Sequence, residues 1–117
     1  SPFEIGKKVV YPGANILTDY QWATHHPLVD SYKRYRTFPY DRPTWDLTPV
    51  YYVFNPKSPI WKKSEWGKVH IDDKGFMFFD KKTGGKHVIL DLPDNQVEQL
   101  KNEFIQLLSK PTWQKQR

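Results

Sequence analysis

The sequence predicts a mixed α/β fold, and two observations support this. Apolar residues recur at helical spacing after Pro27 and again over residues 94–108. Residues 68–79 instead combine strand-forming side chains with a Gly-containing turn at 72–75, which is typical of a β-hairpin. The chain has 117 residues, so it is no longer than one domain. We therefore expect helices, a hairpin and a terminal amphipathic helix.

The first predicted element is the end of a strand over residues 3–10, broken at Gly6 and followed by a turn at 11–13. A helix then begins at Pro27, because proline suits the first helical position, and ends before Pro39. One face of that helix carries Leu28, Val29, Tyr32 and Tyr35.

A second helix is expected from Pro43 to Phe54, with Trp45 and Asp46 in its first turn. A carboxylate in that place can simply complement the helix dipole, which is worth about 0.3–1 kcal/mol. It can also reach outward and coordinate a cation. Spacing alone favours the structural alternative.

The second half changes to strand patterning. The hairpin is followed by a third strand over residues 87–90, and a terminal helix begins at Pro93 and ends near Ser109. We expect its apolar stripe to cover the inner face of the hairpin; the stripe consists of Val97, Leu100, Phe104, Leu107 and Leu108.

The composition limits the available chemistry. The chain carries 18 Lys+Arg against 13 Asp+Glu, a net charge of +5, and its 38% of hydrophobic residues predict a small core or one completed by something else. The absence of cysteine excludes disulfides, zinc fingers and thiol nucleophiles. The longest apolar run, residues 50–54, is far shorter than the ~20 residues of a membrane helix, so no membrane partner is expected.

Three short patterns that resemble functional motifs are better explained as turns or helix ends. Adjacent acids between two strands are what a hairpin turn requires. Neighbouring histidines face different ways, and a Gly-Gly-Lys without a following helix does not cradle phosphate. These patterns are Asp72-Asp73, His25-His26 and Gly84-Gly85-Lys86.

Several longer patterns, in order, resemble the C-terminal third of the inosine/uridine-preferring nucleoside hydrolase family, most closely a bacterial subgroup. They are SPFEIG, HPLVDSYKRY, RPTWDLTPVYYV, KVHIDDKGFMFF, KHVILDL and the closing helix. The resemblance implies that residues 1–117 are the C-terminal part of a single open-sheet α/β domain whose N-terminal part is absent.

The resemblance also implies a chemistry, the calcium-dependent hydrolysis of the N-glycosidic bond of a ribonucleoside. It makes Asp46 a metal ligand and Trp45, Tyr32 and Tyr35 candidate substrate contacts. Family members often carry a histidine that protonates the leaving base at the position of Trp45. An indole has no titratable proton near pH 7, so no catalytic residue is assigned, and Trp45 is expected to stack on a base.

The family's aspartate-rich opening loop, which supplies most of the calcium ligands, has no counterpart in this sequence. Calcium takes six to eight oxygens, so we expect the isolated chain to be inactive. One alternative is a module that stacks single-stranded nucleic acid on Trp66, Phe76 and Phe78, although dispersed lysines make nucleic acid an unlikely partner. A subunit of a larger assembly, including a homo-oligomer, is a further alternative.

Overall fold

The computed structural model describes residues 4–111 and shows helices together with small antiparallel sheets. In chain order the elements are α1 (Ile5–Lys8), β1 (Val10–Tyr11), α2 (Gly13–Thr18), α3 (Pro27–Tyr35), β2 (Arg42–Pro43), α4 (Leu47–Phe54), β3 (Lys62–Lys63), β4 (Lys68–Ile71), β5 (Met77–Asp80), β6 (Leu90–Asp91) and α5 (Val97–Leu108). The strands pair as β1 with β2, β3 with β6 and β4 with β5. The mixed α/β architecture is therefore confirmed. None of the described helices is long and apolar enough to cross a bilayer.

The core is small and lies where α5 packs on β1. The rings of Phe104 and of Tyr51 in α4 form an edge-to-face contact with 5.7 Å between centroids, and the Tyr51 hydroxyl donates a hydrogen bond to the Glu103 carboxylate. The buried apolar residues are Ile5, Val9, Tyr11, Ile16, Tyr20, Ile60, Leu92, Leu100 and Phe104.

The predicted strand over residues 3–10 is wrong for residues 4–10; residue 3 lies outside the described residues. Ile5–Lys8 forms one helical turn, and only Val10–Tyr11 is a strand, because only these two residues have a partner strand, β2. A short apolar run does not by itself distinguish a strand from a buried helical turn. The expected turn at residues 11–13 leads directly into α2, which the sequence pattern did not predict.

The two predicted central helices are present. α3 begins at Pro27 as expected, and the imidazole Nδ1 of His26 accepts the N–H of Leu28 at 3.3 Å. α4 begins at Leu47, later than expected, because Arg42–Pro43 pairs with β1 instead of entering the helix.

The predicted hairpin is confirmed as β4 and β5. The Asp72 carboxylate accepts the N–H groups of Lys74 and Phe76, and Gly75 adopts a positive φ of 82°, which glycine tolerates without strain. The acidic pair is thus part of a turn. The third strand, predicted over residues 87–90, does not form over that range. Leu90 belongs to β6, which pairs with β3, and His87 forms only an isolated bridge to Gly67.

The expectation that α5 covers the hairpin is wrong. Leu100 and Phe104 are buried on the side of β1, whereas Leu107 is 55% exposed. The hairpin rings Phe76 and Phe78 are 65% and 56% exposed. β4 and β5 pair with each other over four residue pairs, so this pairing does not require the helix to cover the hairpin.

Candidate functional site

The segment that carries Asp46 is held by backbone hydrogen bonds to the first described residues. The N–H of Thr44 donates to the carbonyl oxygens of Gly6 at 2.8 Å and of Val9 at 3.2 Å. The Thr44 hydroxyl donates to the same Val9 oxygen at 2.7 Å, and the Thr48 hydroxyl donates to the Thr44 carbonyl at 3.2 Å. Both threonines are buried. These bonds fix the backbone immediately before Asp46.

Gly6 permits this contact because it has no side chain. A Cβ at this position would lie 2.5 Å from the Cα and the backbone nitrogen of Trp45, closer than real Cβ atoms approach. Two of the patterns that carry the resemblance, SPFEIG and RPTWDLTPVYYV, therefore meet through the backbones of Gly6 and Trp45.

A cavity of about 300 Å³ opens beside this junction. It lies between β1, α3, β2 and the start of α4. Its polar lining comes from Tyr11, Tyr32, Arg42, Thr44 and Asp46.

Asp46 occupies the N-cap position of α4 but does not cap the helix with its side chain. It is exposed, and within residues 4–111 its carboxylate takes part in no hydrogen bond or ion pair. The carboxylate therefore forms no hydrogen bond to the helix end, although a negative charge at this position still complements the helix dipole. The side chain remains available to a ligand.

Two phenols face the same cavity in neutral form. Burial raises the pKa of Tyr11 well above its ordinary value, and burial also raises the pKa of Tyr32, against which the positive charge of Arg42 acts. The Tyr11 hydroxyl is buried and makes no hydrogen bond within the described part of the chain. Tyr40 contacts Tyr32 twice: the two rings stack with 5.3 Å between their centroids, and the Tyr40 hydroxyl donates a hydrogen bond to the Tyr32 carbonyl oxygen at 3.1 Å.

The other two candidate residues lie elsewhere. Trp45 is 50% exposed and lines a separate hollow of about 290 Å³ with Ile5 and Thr48. Tyr35 is 67% exposed and does not line the cavity, although the Arg42 guanidinium lies 5.0 Å above its ring. The structure thus brings Asp46 and Tyr32 together, and it places Trp45 on a neighbouring surface.

Tyr11 and Arg42 were not predicted as site residues. They face each other across the β1–β2 ladder, and no local pattern marks that pairing because it joins distant segments. The only sequence signal near them is a proline-containing turn beside each strand, at residues 11–13 and 40–43, which predicts a change of chain direction but not the pairing.

The donor set on the described residues does not by itself fit calcium. Residues 4–111 contain no group of three His, Asp or Glu side chains placed to hold a metal ion, and Asp46 is the one carboxylate among the residues described as lining the cavity. Calcium binds six to eight oxygens, so further ligands would have to come from outside this part of the chain.

What the cavity offers chemically is a carboxylate acceptor, a guanidinium and two neutral phenols beside the apolar side chains of Leu28 and Leu47. Such a lining suits a small ligand with hydroxyl groups at one end and an apolar or aromatic body. Comparison with models of protein families, with curated proteins and with solved structures found no match to this chain.

Proposed function

We propose that this chain is the C-terminal part of a nucleoside hydrolase-like open-sheet domain, in which Asp46 is one ligand of a calcium ion and Tyr32 contacts the ribonucleoside. The observation that carries the proposal is the uncommitted carboxylate of Asp46 in a cavity shared with neutral tyrosines. The fixed backbone from Thr44 to Asp46 supports it, since a metal ligand needs a rigid mount.

The large exposed surface area of the chain supports the proposal that it is part of a larger domain. The chain exposes 9157 Å², whereas a compact protein of 14.0 kDa exposes about 6,700 Å². If the residues outside 4–111 are each allowed the area of an unfolded chain, an excess of roughly 1,300 Å² remains.

Part of that surface is an apolar groove of about 310 Å³ between α4 and α5. Val50, Phe54 and Leu107 line it and are each more than half exposed. The groove lies next to the cavity, because Leu47 and Leu108 line both. We infer that the remaining part of the same domain, which would bring the other calcium ligands, packs there.

The test is nucleoside turnover by the complete protein that contains this segment. Inosine and uridine should release base and ribose, chelation of calcium should abolish the release, and added calcium should restore it. The 117-residue chain alone should show neither turnover nor a micromolar calcium site by calorimetry. A complete protein that is inert towards both nucleosides with calcium present would overturn the proposal.

One observation favours the nucleic-acid alternative. Trp66, Phe76 and Phe78 are all more than half exposed, as a base-stacking surface requires, and Lys68 lies on the same hairpin. The test is quenching of tryptophan fluorescence by single-stranded oligonucleotides at several salt concentrations. Nanomolar, salt-dependent binding near physiological salt would favour this function, whereas weak binding that is indifferent to sequence is what a generally basic surface gives.

A further inference from the structure

The positive charge of the chain is concentrated in one segment. Residues 57–87 carry eight lysines and four acidic residues, whereas the rest of the chain carries ten basic and nine acidic residues. This basic segment therefore accounts for four of the five net positive charges. It runs from the turn after α4 through β3 and the hairpin to His87.

Ion pairs do not compensate these lysines. None of the eight forms a salt bridge within residues 4–111. Two of the four acids of the segment, Asp72 and Asp80, accept backbone N–H groups of neighbouring residues instead. The basic segment therefore presents unpaired positive charge to solvent.

The fold brings three of the lysines together around one hollow of about 250 Å³. Lys62 and Lys63 form β3, and Lys81 directly follows the last residue of β5. Asp91 is the one carboxylate among the described residues that line this lysine hollow, and it lies 3.7 Å from the ammonium group of Lys8. The sequence shows these lysines as separate pairs, so their convergence is a finding of the structure.

The lysine hollow favours an anion. Like charges around one hollow repel each other, and an anion between them removes that repulsion. The Lys63 ammonium donates to the Pro56 carbonyl at 3.2 Å and lies 5.1 Å from the centre of the Tyr52 ring, so it is held in place. The side chains of Lys62 and Lys81 make no hydrogen bond or ion pair within the described part of the chain and can turn towards a ligand.

An exposed tryptophan follows these lysines in the chain. Trp66 is 64% exposed and comes three residues after Lys63, a span of at most about 11 Å. Between them, the Ser64 hydroxyl accepts the N–H of Ile89 at 2.8 Å and ties this stretch to the chain that enters β6. Surfaces that bind single strands combine basic groups along the backbone with aromatic rings on which bases stack. Charge and ring together favour a nucleic-acid strand over an acidic protein, which has no bases to stack.

We propose that the lysine hollow binds the backbone phosphates of single-stranded nucleic acid while Trp66 stacks on a base of the same strand. Lys62, Lys63 and Lys81 each contact phosphate oxygens. The inference gives a site to the nucleic-acid function and rests on it, and it is independent of the proposed hydrolase activity.

The test is fluorescence anisotropy of a labelled oligothymidine of about 15 nucleotides, titrated with the 117-residue chain at several salt concentrations. For single strands, the logarithm of the binding constant falls with the logarithm of the salt concentration, with a slope of about −0.7 for each neutralised phosphate. Lys62→Gln and Lys81→Gln should each weaken binding and make the slope shallower by about 0.7, because each removes one phosphate contact. Trp66→Ala should weaken binding at least about fivefold and leave the slope unchanged, because stacking on a base releases no counterions.

Lys74→Gln is the matched control: Lys74 is an exposed lysine in the hairpin turn, so its variant loses the same charge, but it does not line the lysine hollow. It should keep both affinity and slope. Oligonucleotide binding with the same slope in wild type and in both hollow variants, or with an equal change in Lys74→Gln, would overturn this site and leave the nucleic-acid function standing. Absence of binding at about 50 mM salt would overturn both. Polyglutamate of similar charge that binds as tightly as the oligonucleotide would also overturn the proposal, since it has no base for Trp66.

Discussion

Tyr11 lies directly across the β1–β2 ladder from Arg42, and both side chains line the cavity that contains Asp46. This pairing joins the first described strand to the segment that precedes α4. The position of Asp46 therefore depends on contacts with residues far away in the sequence, and those contacts can be tested before any activity is measured.

Gly6→Ala should destabilise the chain. The added Cβ would lie 2.5 Å from backbone atoms of Trp45, which cannot rotate away. Overpacking of this kind costs about 1–3 kcal/mol, more than the roughly 1 kcal/mol that alanine gains over glycine in a helix.

Urea unfolding measures the effect. Gly75→Asn is the control, because no atom lies within 4 Å of a Cβ there and asparagine tolerates the positive φ. Equal midpoints for wild type and Gly6→Ala would show that α1 does not rest on the Asp46 segment.

Tyr11→Phe should leave stability near pH 7 unchanged or higher, because the buried hydroxyl has no hydrogen-bond partner among the described residues. At high pH the variant should be more resistant than wild type. The unfolded phenol ionises near pH 10, whereas burial raises the pKa of Tyr11 in the fold. Its contribution to stability is therefore fully present below about pH 10 and is lost as the pH rises further.

The measurement is the urea midpoint of both proteins near pH 7 and near pH 11. Tyr32, whose pKa is also raised by burial, stays in both proteins, so its effect cancels in the comparison. The pKa of Tyr20 also depends on the Tyr11 hydroxyl, so both proteins carry Tyr20→Phe. Parallel losses of stability in the two proteins would show that the Tyr11 phenol is not protected from ionisation.

Local signals in the sequence were sufficient where the structure is local. Pro27 marks the start of α3, and Asp72 with Gly75 specifies the hairpin turn, because a first-turn proline and a positive φ each depend on a few neighbouring residues. Pairings between distant segments were not predictable in this way. Arg42–Pro43 looked like the start of a helix and became β2 because Val10–Tyr11 lies beside it.

In the candidate site, too, the sequence predicted local features but not which residues share a cavity. Asp46 was identified from its segment, and the structure places it with Tyr32 in one cavity, but Trp45, its neighbour in sequence, lines another hollow. Adjacent residues at a helix start face different directions, so the order of residues alone does not show which of them share a cavity.

Phe104→Ala should cost about 3–5 kcal/mol, because the ring is 3% exposed and packs against Tyr51. Leu107→Ala is the matched control on the same helix; its side chain is 55% exposed, and the cost should be about 1 kcal/mol or less. Thermal and urea unfolding measure both. Similar melting midpoints for Phe104→Ala and wild type would show that α5 is not docked on the core.

Asp46→Asn tests the metal-ligand proposal in the complete protein. The substitution keeps the shape of the side chain and removes one negative charge, so a calcium site that uses Asp46 should lose affinity at least roughly tenfold, and nucleoside turnover should fall with it. Stability should barely change, because the carboxylate makes no capping hydrogen bond and a charge at a helix end is worth about 0.3–1 kcal/mol.

Asp30→Asn is the matched control: Asp30 also lies in the first turn of a helix, α3, but is not among the residues that line the cavity. Its variant should keep both calcium affinity and turnover. A fully active Asp46→Asn enzyme would exclude Asp46 as a ligand, and equal losses in both variants would assign the effect to helix electrostatics instead of metal binding.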